Sequence, residues 1–246
     1  MLSHELKTVF IHVPKTGGQS VERVFVGLSG LTWSSRGALL LRENPDPDHG
    51  PVRLDHLSMR EYQSLGYVTS EQADAYFTFG FVRNPFARIV SEYKYREYPR
   101  QFDFRTYVME RLPEPPGTRG YYHTLPMHHF LADGDGRQLV DFVGYFEEFQ
   151  EDFNEACRRL GLEPITLPHE NKSAAMRQTQ RSGGVNPFRT FKQVRKRRRR
   201  QAVLDSMEAN LKGHYTEYYD DVTREKVTEL YGKDLELFGY TFEGRV

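Results

Sequence analysis

Apolar positions in this chain fall into short continuous runs and helical stripes, separated by polar turns that carry glycine and proline. Lys7 to Val13 is β-branched and apolar and predicts a strand. It runs through Pro14-Lys15-Thr16-Gly17-Gly18-Gln19-Ser20 into a helix-compatible segment ending at Leu28. Tyr76 to Val82 is a second apolar run. It ends in Arg83-Asn84-Pro85, and Pro85 is placed for the first position of a helix reaching about Glu97. Val52 to His56 predicts a short strand with His56 at its end, followed by a helix from Ser58 to Leu65. Phe102 to Leu112 predicts an amphipathic helix stopped by Pro113-Glu114-Pro115-Pro116-Gly117. Leu139 to Phe146 predicts a strand. Phe149, Phe153, Ala156, Cys157 and Leu160 form a helical stripe ended by Gly161, and Val227, Leu230, Tyr231, Leu235 and Phe238 mark a final helix from Thr223. Trp33 to Pro51, with Gly37, Pro45, Pro47 and Gly50, reads as a long loop in at least its second half, and such loops often border binding sites.

Strand runs alternating with helices place the chain in the α/β class. With 246 residues the simplest organisation is one domain, 1–246, with a central, mainly parallel sheet flanked by helices. The 34 basic and 34 acidic residues balance overall, but Arg189 to Arg200 concentrates eight Lys or Arg with no acid. Within it, Arg195 to Arg200 reads either as a solvated face or as a site for nucleic acid, an anionic polysaccharide or acceptor, or an acidic membrane surface, and without interleaved aromatics it does not suit single-stranded nucleic acid. Cys157 is the only cysteine; it excludes an intramolecular disulfide, and its apolar neighbours make it a core residue. No apolar run approaches the roughly 20 residues of a membrane span, and Met1 to Lys7 is too short and polar for a secretion signal, so a cytoplasmic location is expected.

The two strand-loop-helix units carry the chemistry. Gly17 and Gly18 allow a tight turn with inward N–H groups, the following helix adds its positive end, Lys15 adds a charge, and Thr16 and Ser20 add hydroxyls. The order differs from the nucleotide-binding P-loop, Gly-x-x-x-x-Gly-Lys-Ser/Thr, because here the lysine precedes both glycines. Taken alone, this turn is equally an anion site or a plain connection. Arg83 sits at the carboxyl end of the second strand, and Arg88, Ser91 and Tyr95 follow at helical spacings of three and four, either as a surface stripe or as a face beside Arg83. In an open α/β sheet both loops would border one crevice outside the strand ends. His56 is the preferred general base, since a neutral imidazole takes a proton near pH 7; its other reading is a helix cap or backbone partner, and His12 is the weaker rival inside a strand. His123, His128 and His129 lack the spacing of a metal set, so acceptor binding or packing is expected there and no metal site is predicted.

Pro14 to Ser20, together with Arg83-Asn84-Pro85-Phe86-Ala87-Arg88-Ile89-Val90-Ser91-Glu92-Tyr93, resembles the two cofactor motifs of sulfotransferases that use 3′-phosphoadenosine 5′-phosphosulfate (PAPS), in particular the family 2 carbohydrate type. The likeness continues more loosely through Leu139 to Phe149, Leu167 to Ser173 and Tyr215 to Phe242. It implies a P-loop-like nucleotide-binding core in which Lys15, Thr16, Gly17, Gly18, Gln19 and Ser20 hold the 5′-phosphosulfate, and Arg83 and Ser91 hold the 3′-phosphate. It also implies a hydroxyl-bearing acceptor, a sugar or glycan, with Lys15 and His56 catalytic, and it brings His169, Asn171 and Lys172 toward the cofactor or leaves them in a plain loop. Eukaryotic members of that family are typically anchored in the Golgi membrane. Two other readings stay open: a nucleotide kinase or NTPase, which would need a magnesium site, and a non-enzymatic polyanion-binding protein working through Arg189 to Arg200.

Overall fold

The computed structural model of the chain describes residues 1–118, 120–168 and 213–246. His169, Asn171, Lys172 and the basic run from Arg189 to Arg200 lie outside the described residues. Among those described, strands β1 (Leu2–Ser3), β2 (Thr8–Ile11), β3 (Phe77–Val82) and β4 (Phe142–Tyr145) form one sheet in the order β1-β2-β3-β4. β1 runs antiparallel at one edge, and the β2–β3 and β3–β4 pairs are parallel. The expected α/β sheet is therefore present, mostly parallel and flanked by helices. In chain order these are α1 (Gly18–Leu28), α2 (Met59–Ser64), α3 (Ser70–Ala75), α4 (Pro85–Tyr95), α5 (Phe104–Thr106), α6 (Tyr121–Thr124), α7 (His128–Leu131), α8 (Phe149–Arg159) and α9 (Asp221–Phe238).

The sheet is covered on both faces, which is why its strands read as unbroken apolar runs. Val9, Ile11 and Val82 face Leu54, Leu57, Tyr62 and Leu131. Phe10, Phe79 and Phe81 alternate with them and pack on Val21 and Phe25 of α1 and Phe153 of α8. Rings of β2, β3 and α1 meet directly, with Phe10 and Phe79 5.0 Å apart and Phe25 and Phe79 5.9 Å apart between centroids. Cys157 is buried in this second layer, as its stripe implies. A third cluster joins the far side of α4, through Phe86, Ile89 and Tyr93, to Tyr107 and to Val227 and Tyr231 of α9. From α9 the buried Asp234 accepts hydrogen bonds from the N–H groups of Met127 (2.6 Å) and His128 (2.9 Å) and from His128 Nδ1 (2.7 Å), fixing the start of α7.

Three segments depart from expectation. Val52 to His56 is a turn, touching β structure only through an isolated bridge between Glu43 and Arg53. Leu54 and Leu57 are both fully buried there, so the chain bends to sink two anchors where a strand would extend, and His56 does not end a strand. After α5 the helix expected over Phe102 to Leu112 widens into a π-type turn, Tyr107–Arg111, which brings the adjacent Tyr107 and Val108 both into the core. The Trp33 to Pro51 loop contains two 3₁₀ turns, Arg36–Leu39 and Pro47–His49. Among the described residues no helix is long and apolar enough to cross a membrane.

Phe153 is wholly buried where α8 meets α1, its ring 6.5 Å from Phe25. Phe153→Ala is expected to lower stability by about 3–5 kcal/mol, read by urea unfolding, through the cavity it leaves.

Candidate active site

Parallel pairing of β2 with β3 sets Ile11 opposite Gly80, so the segments that follow the two strands leave the same edge of the sheet. The first turns at once. Lys15 and Gly17 both have left-handed backbone (φ 70° and 84°), and a Cβ on Gly17 would lie 2.7 Å from the Phe149 ring, so only glycine fits. α1 begins immediately after, with Ser20 N–H donating to the Gly17 carbonyl at 2.9 Å. A Cβ on Gly18 would collide with the His12 imidazole. That ring is buried, and its Nδ1 donates to Glu22 Oε1 at 2.5 Å, so His12 is a structural pair with Glu22, lying under the loop. Thr16 is also buried, and its hydroxyl donates to the Val13 carbonyl at 2.8 Å, so its proton is committed to shaping the turn. Gln19 is exposed on the first turn of α1.

The loop following β3 reaches across to the first loop. Arg83 Nη1 donates to the Lys15 carbonyl at 3.3 Å, while its guanidinium carbon lies 4.3 Å from the centre of the Phe146 ring. Arg83 thus touches the loop that carries Lys15, and the two charges feel one another. Burial pulls the Lys15 ammonium down to about 8 and the Arg83 guanidinium down to about 10. Lys15 Nζ rests 3.8 Å from the centre of the Tyr95 ring, a cation–π contact from α4. Beside Arg83 opens a groove of about 550 Å³, lined among others by Ser91, Lys94, Phe146, His214 and Tyr215. Ser91 stands beside Arg83 as the helical spacing predicts, and Lys94, one turn further on the same face, joins them.

Arg88 does not lie in that groove. Its guanidinium is fully buried and donates to three main-chain carbonyls: Pro14 at 3.0 Å, Leu125 at 2.8 Å and His123 at 3.0 Å. The expected polar stripe of Arg88, Ser91 and Tyr95 therefore divides: Arg88 ties the first loop to α6, Ser91 enters the groove, and Tyr95 supports Lys15. The fork of the guanidinium suits this, because one planar group offers donors in several directions.

His56 lies against the start of the first loop, between the buried Leu54 and Leu57 in sequence. Its Nδ1 donates to the His12 carbonyl at 3.0 Å, and its ring is 4.5 Å from that of His12 and 5.3 Å from that of His123. Burial, with the two neighbouring imidazoles, pushes its pKa well below the ordinary value, so the ring is neutral at pH 7. With the proton on Nδ1, Nε2 carries the lone pair. His123 Nδ1 pairs with Glu92 Oε2 at 2.8 Å, and the other Glu92 oxygen accepts from Arg96 Nε at 2.6 Å. Glu92 is fully buried. Burial works against its charge, and the hydrogen bonds from His123 and Arg96 outweigh it, holding the carboxyl below its ordinary value. His128 belongs elsewhere, with Asp234, and among the described residues no group of three His, Cys, Asp or Glu side chains could hold a metal ion.

Glu92 and Lys94 were given no role from the sequence. A signal was present: Arg88, Glu92 and Arg96 recur every fourth residue with alternating charge, a face that on a surface helix would be a simple ion-pair row.

The geometry now has a family to match. A model described as "Sulfotransferase family" matches residues 1–241. The chain belongs to this sulfotransferase family. It is also similar to an uncharacterized protein of Archaeoglobus fulgidus, 32% identical over 92 residues that make up 36% of this chain and 71% of that protein. No solved structure matches. Membership makes the chain a transferase that moves a sulfuryl group, and a hydroxyl-bearing acceptor is implied.

Arg88→Met would leave the Pro14, His123 and Leu125 carbonyls without their shared donor. Its expected cost is roughly 1–3 kcal/mol for each carbonyl left unsatisfied. Arg88→Lys is expected to fall between Met and the native residue in thermal and urea unfolding; unchanged stability in Arg88→Met would remove the cross-link from the account.

Proposed function

We propose that residues 1–246 form one cytoplasmic sulfotransferase domain that transfers a sulfuryl group from PAPS to a hydroxyl of a carbohydrate acceptor. The observation that carries this reading is the meeting of Lys15 and Arg83 across the β2–β3 edge, 3.3 Å from guanidinium to loop carbonyl, with His56 bonded through Nδ1 to the His12 carbonyl at the start of that loop. Two cationic turns in contact fit a small ligand with anionic groups at both ends. The donor set suits it as well: a glycine cradle closed by Phe149, and a groove carrying Arg83, Ser91 and Lys94. Metal plays no part in the scheme.

In this reading the Lys15 ammonium and the turn formed by Thr16, Gly17, Gly18, Gln19 and Ser20 hold the 5′ end, while Arg83 and Ser91 hold the 3′-phosphate. PAPS, when bound, supplies the activated sulfuryl group, whose sulfur–oxygen bond to the 5′-phosphate breaks as the acceptor oxygen bonds to sulfur. His56 Nε2 takes the proton of the acceptor hydroxyl. Lys15 meets the negative charge that develops on the phosphate side, in a partly dehydrated setting where one charge counts for more than in water. His12, buried against Gly18 and bonded to Glu22, supplies through its carbonyl the contact that sets the His56 tautomer.

Lys15→Ala is expected to lower transfer from labelled PAPS by about 10²–10³-fold, the usual cost of removing one charge-stabilising donor. Near-native turnover would overturn the assignment. The nucleotide product, 3′-phosphoadenosine 5′-phosphate, should bind with an affinity that falls as pH rises through about 8, because the empty-site Lys15 loses its proton there. The anion restores the charge, so calorimetry in buffers of different ionisation heat should record proton uptake above that pH.

A further inference from the structure

Two half-buried imidazoles, from segments far apart in sequence, lie against one another with their Nδ1 atoms both committed. His56 Nδ1 donates to the His12 carbonyl at 3.0 Å, and His123 Nδ1 donates to the Glu92 carboxylate at 2.8 Å. Their ring centres are 5.3 Å apart and their planes stand at 82°. Only one of these rings is needed to remove a proton.

His123 is held more firmly than packing alone requires. Its carbonyl accepts from Arg88 Nη2 at 3.0 Å, its ring stacks on Tyr95 at 5.9 Å, and its carboxylate partner is itself buried and fixed by Arg96. Tyr95 is the ring on which the Lys15 ammonium rests, so His123 borders the cationic loop as well as His56. A neutral ring whose Nδ1–H points at a carboxylate presents Nε2 as a hydrogen-bond acceptor. Burial lowers the His123 pKa, and its neutral form agrees with that assignment. With the ring centres 5.3 Å apart, the two acceptor nitrogens are near enough to serve one ligand that offers two donors, and a compound with a single hydroxyl leaves one nitrogen unmatched. Displacing water from a half-buried acceptor without replacing its hydrogen bond is costly, so the second nitrogen discriminates between such compounds.

We propose that His123, aimed by Glu92, is a specificity-determining residue of the acceptor side: its Nε2 takes a hydrogen bond from a second hydroxyl of the acceptor, adjacent to the hydroxyl that faces His56. This rests on the sulfuryl-transfer reading for the identity of the reaction, though not for the binding itself. Glu92 acts through His123 and is a positioning residue.

The test compares cis-1,2-cyclohexanediol with cyclohexanol, which differ by one hydroxyl, on the full chain saturated with 3′-phosphoadenosine 5′-phosphate. In NMR titrations the diol should shift the ring signals of both His56 and His123, assigned by single His→Gln replacement, and cyclohexanol should leave that of His123 in place. A diol that leaves the His123 signal unmoved overturns the proposal, and this measurement needs no variant to remain active. With labelled PAPS, the native chain should favour the diol by at least tenfold in kcat/KM, and His123→Gln should reduce that preference to within twofold, chiefly by raising the acceptor KM. Equal use of both compounds by the native chain would also overturn it. Diol shifts at both rings without any transfer from PAPS would sink the proposed reaction while leaving the two-hydroxyl site standing.

Discussion

Parallel pairing of β2 and β3 is the constraint on which the rest of the molecule depends. Neighbouring parallel strands discharge their following loops at one edge, so Lys15 and Arg83 meet although 68 residues separate them. The pairing is held from both faces, by the phenylalanine layer over α1 and α8 and by the aliphatic layer under Leu54, Leu57 and Leu131. A one-residue slip would turn Phe10 and Phe79 toward the wrong layer, which makes the register strongly specified.

Three cations gather beside the two loops, each faced by a carboxylate: Glu92 for Lys15, Glu147 for Arg83 and Glu217 for Lys94. Lys15, Arg83 and Lys94 approach one another, and burial lowers the tendency of each to stay charged. Glu92, the carboxylate that most favours the Lys15 charge, is shared between Arg96 and His123. A bound anion would offset the burial and mutual repulsion that pull these cations down. Arg88 takes a different part: fully desolvated and bonded to three carbonyls, it joins the first cationic loop to the helix that carries His123.

Much of this could be read along the chain. Both strand-loop-helix units appear within a residue or two of their expected limits because their strands are buried on both faces and because Pro85 and the Gly17-Gly18 turn punctuate them locally. The α8 stripe and α9 were legible for the same reason, a regular apolar period. His56 was found as a candidate on a mistaken premise: the segment before it is a bend anchored by two leucines, since burial of Leu54 and Leu57 outweighed its strand-like composition. For Arg88 the sequence offers a surface stripe or a face beside Arg83, and the structure gives neither, because helical spacing gives direction around an axis and cannot say which neighbouring loop that direction meets.

The sequence by itself determined the periodic elements, the glycine turn and the two clusters of basic residues, because these follow from backbone sterics and from side chains only a few positions apart. Which imidazole nitrogen carries its proton, which arginine is buried, and the pairing of Glu92 with His123 were decided only by tertiary structure. Those properties depend on desolvation and on partners from distant segments, the His12 carbonyl for His56 and Glu92 for His123, that meet once the sheet has closed.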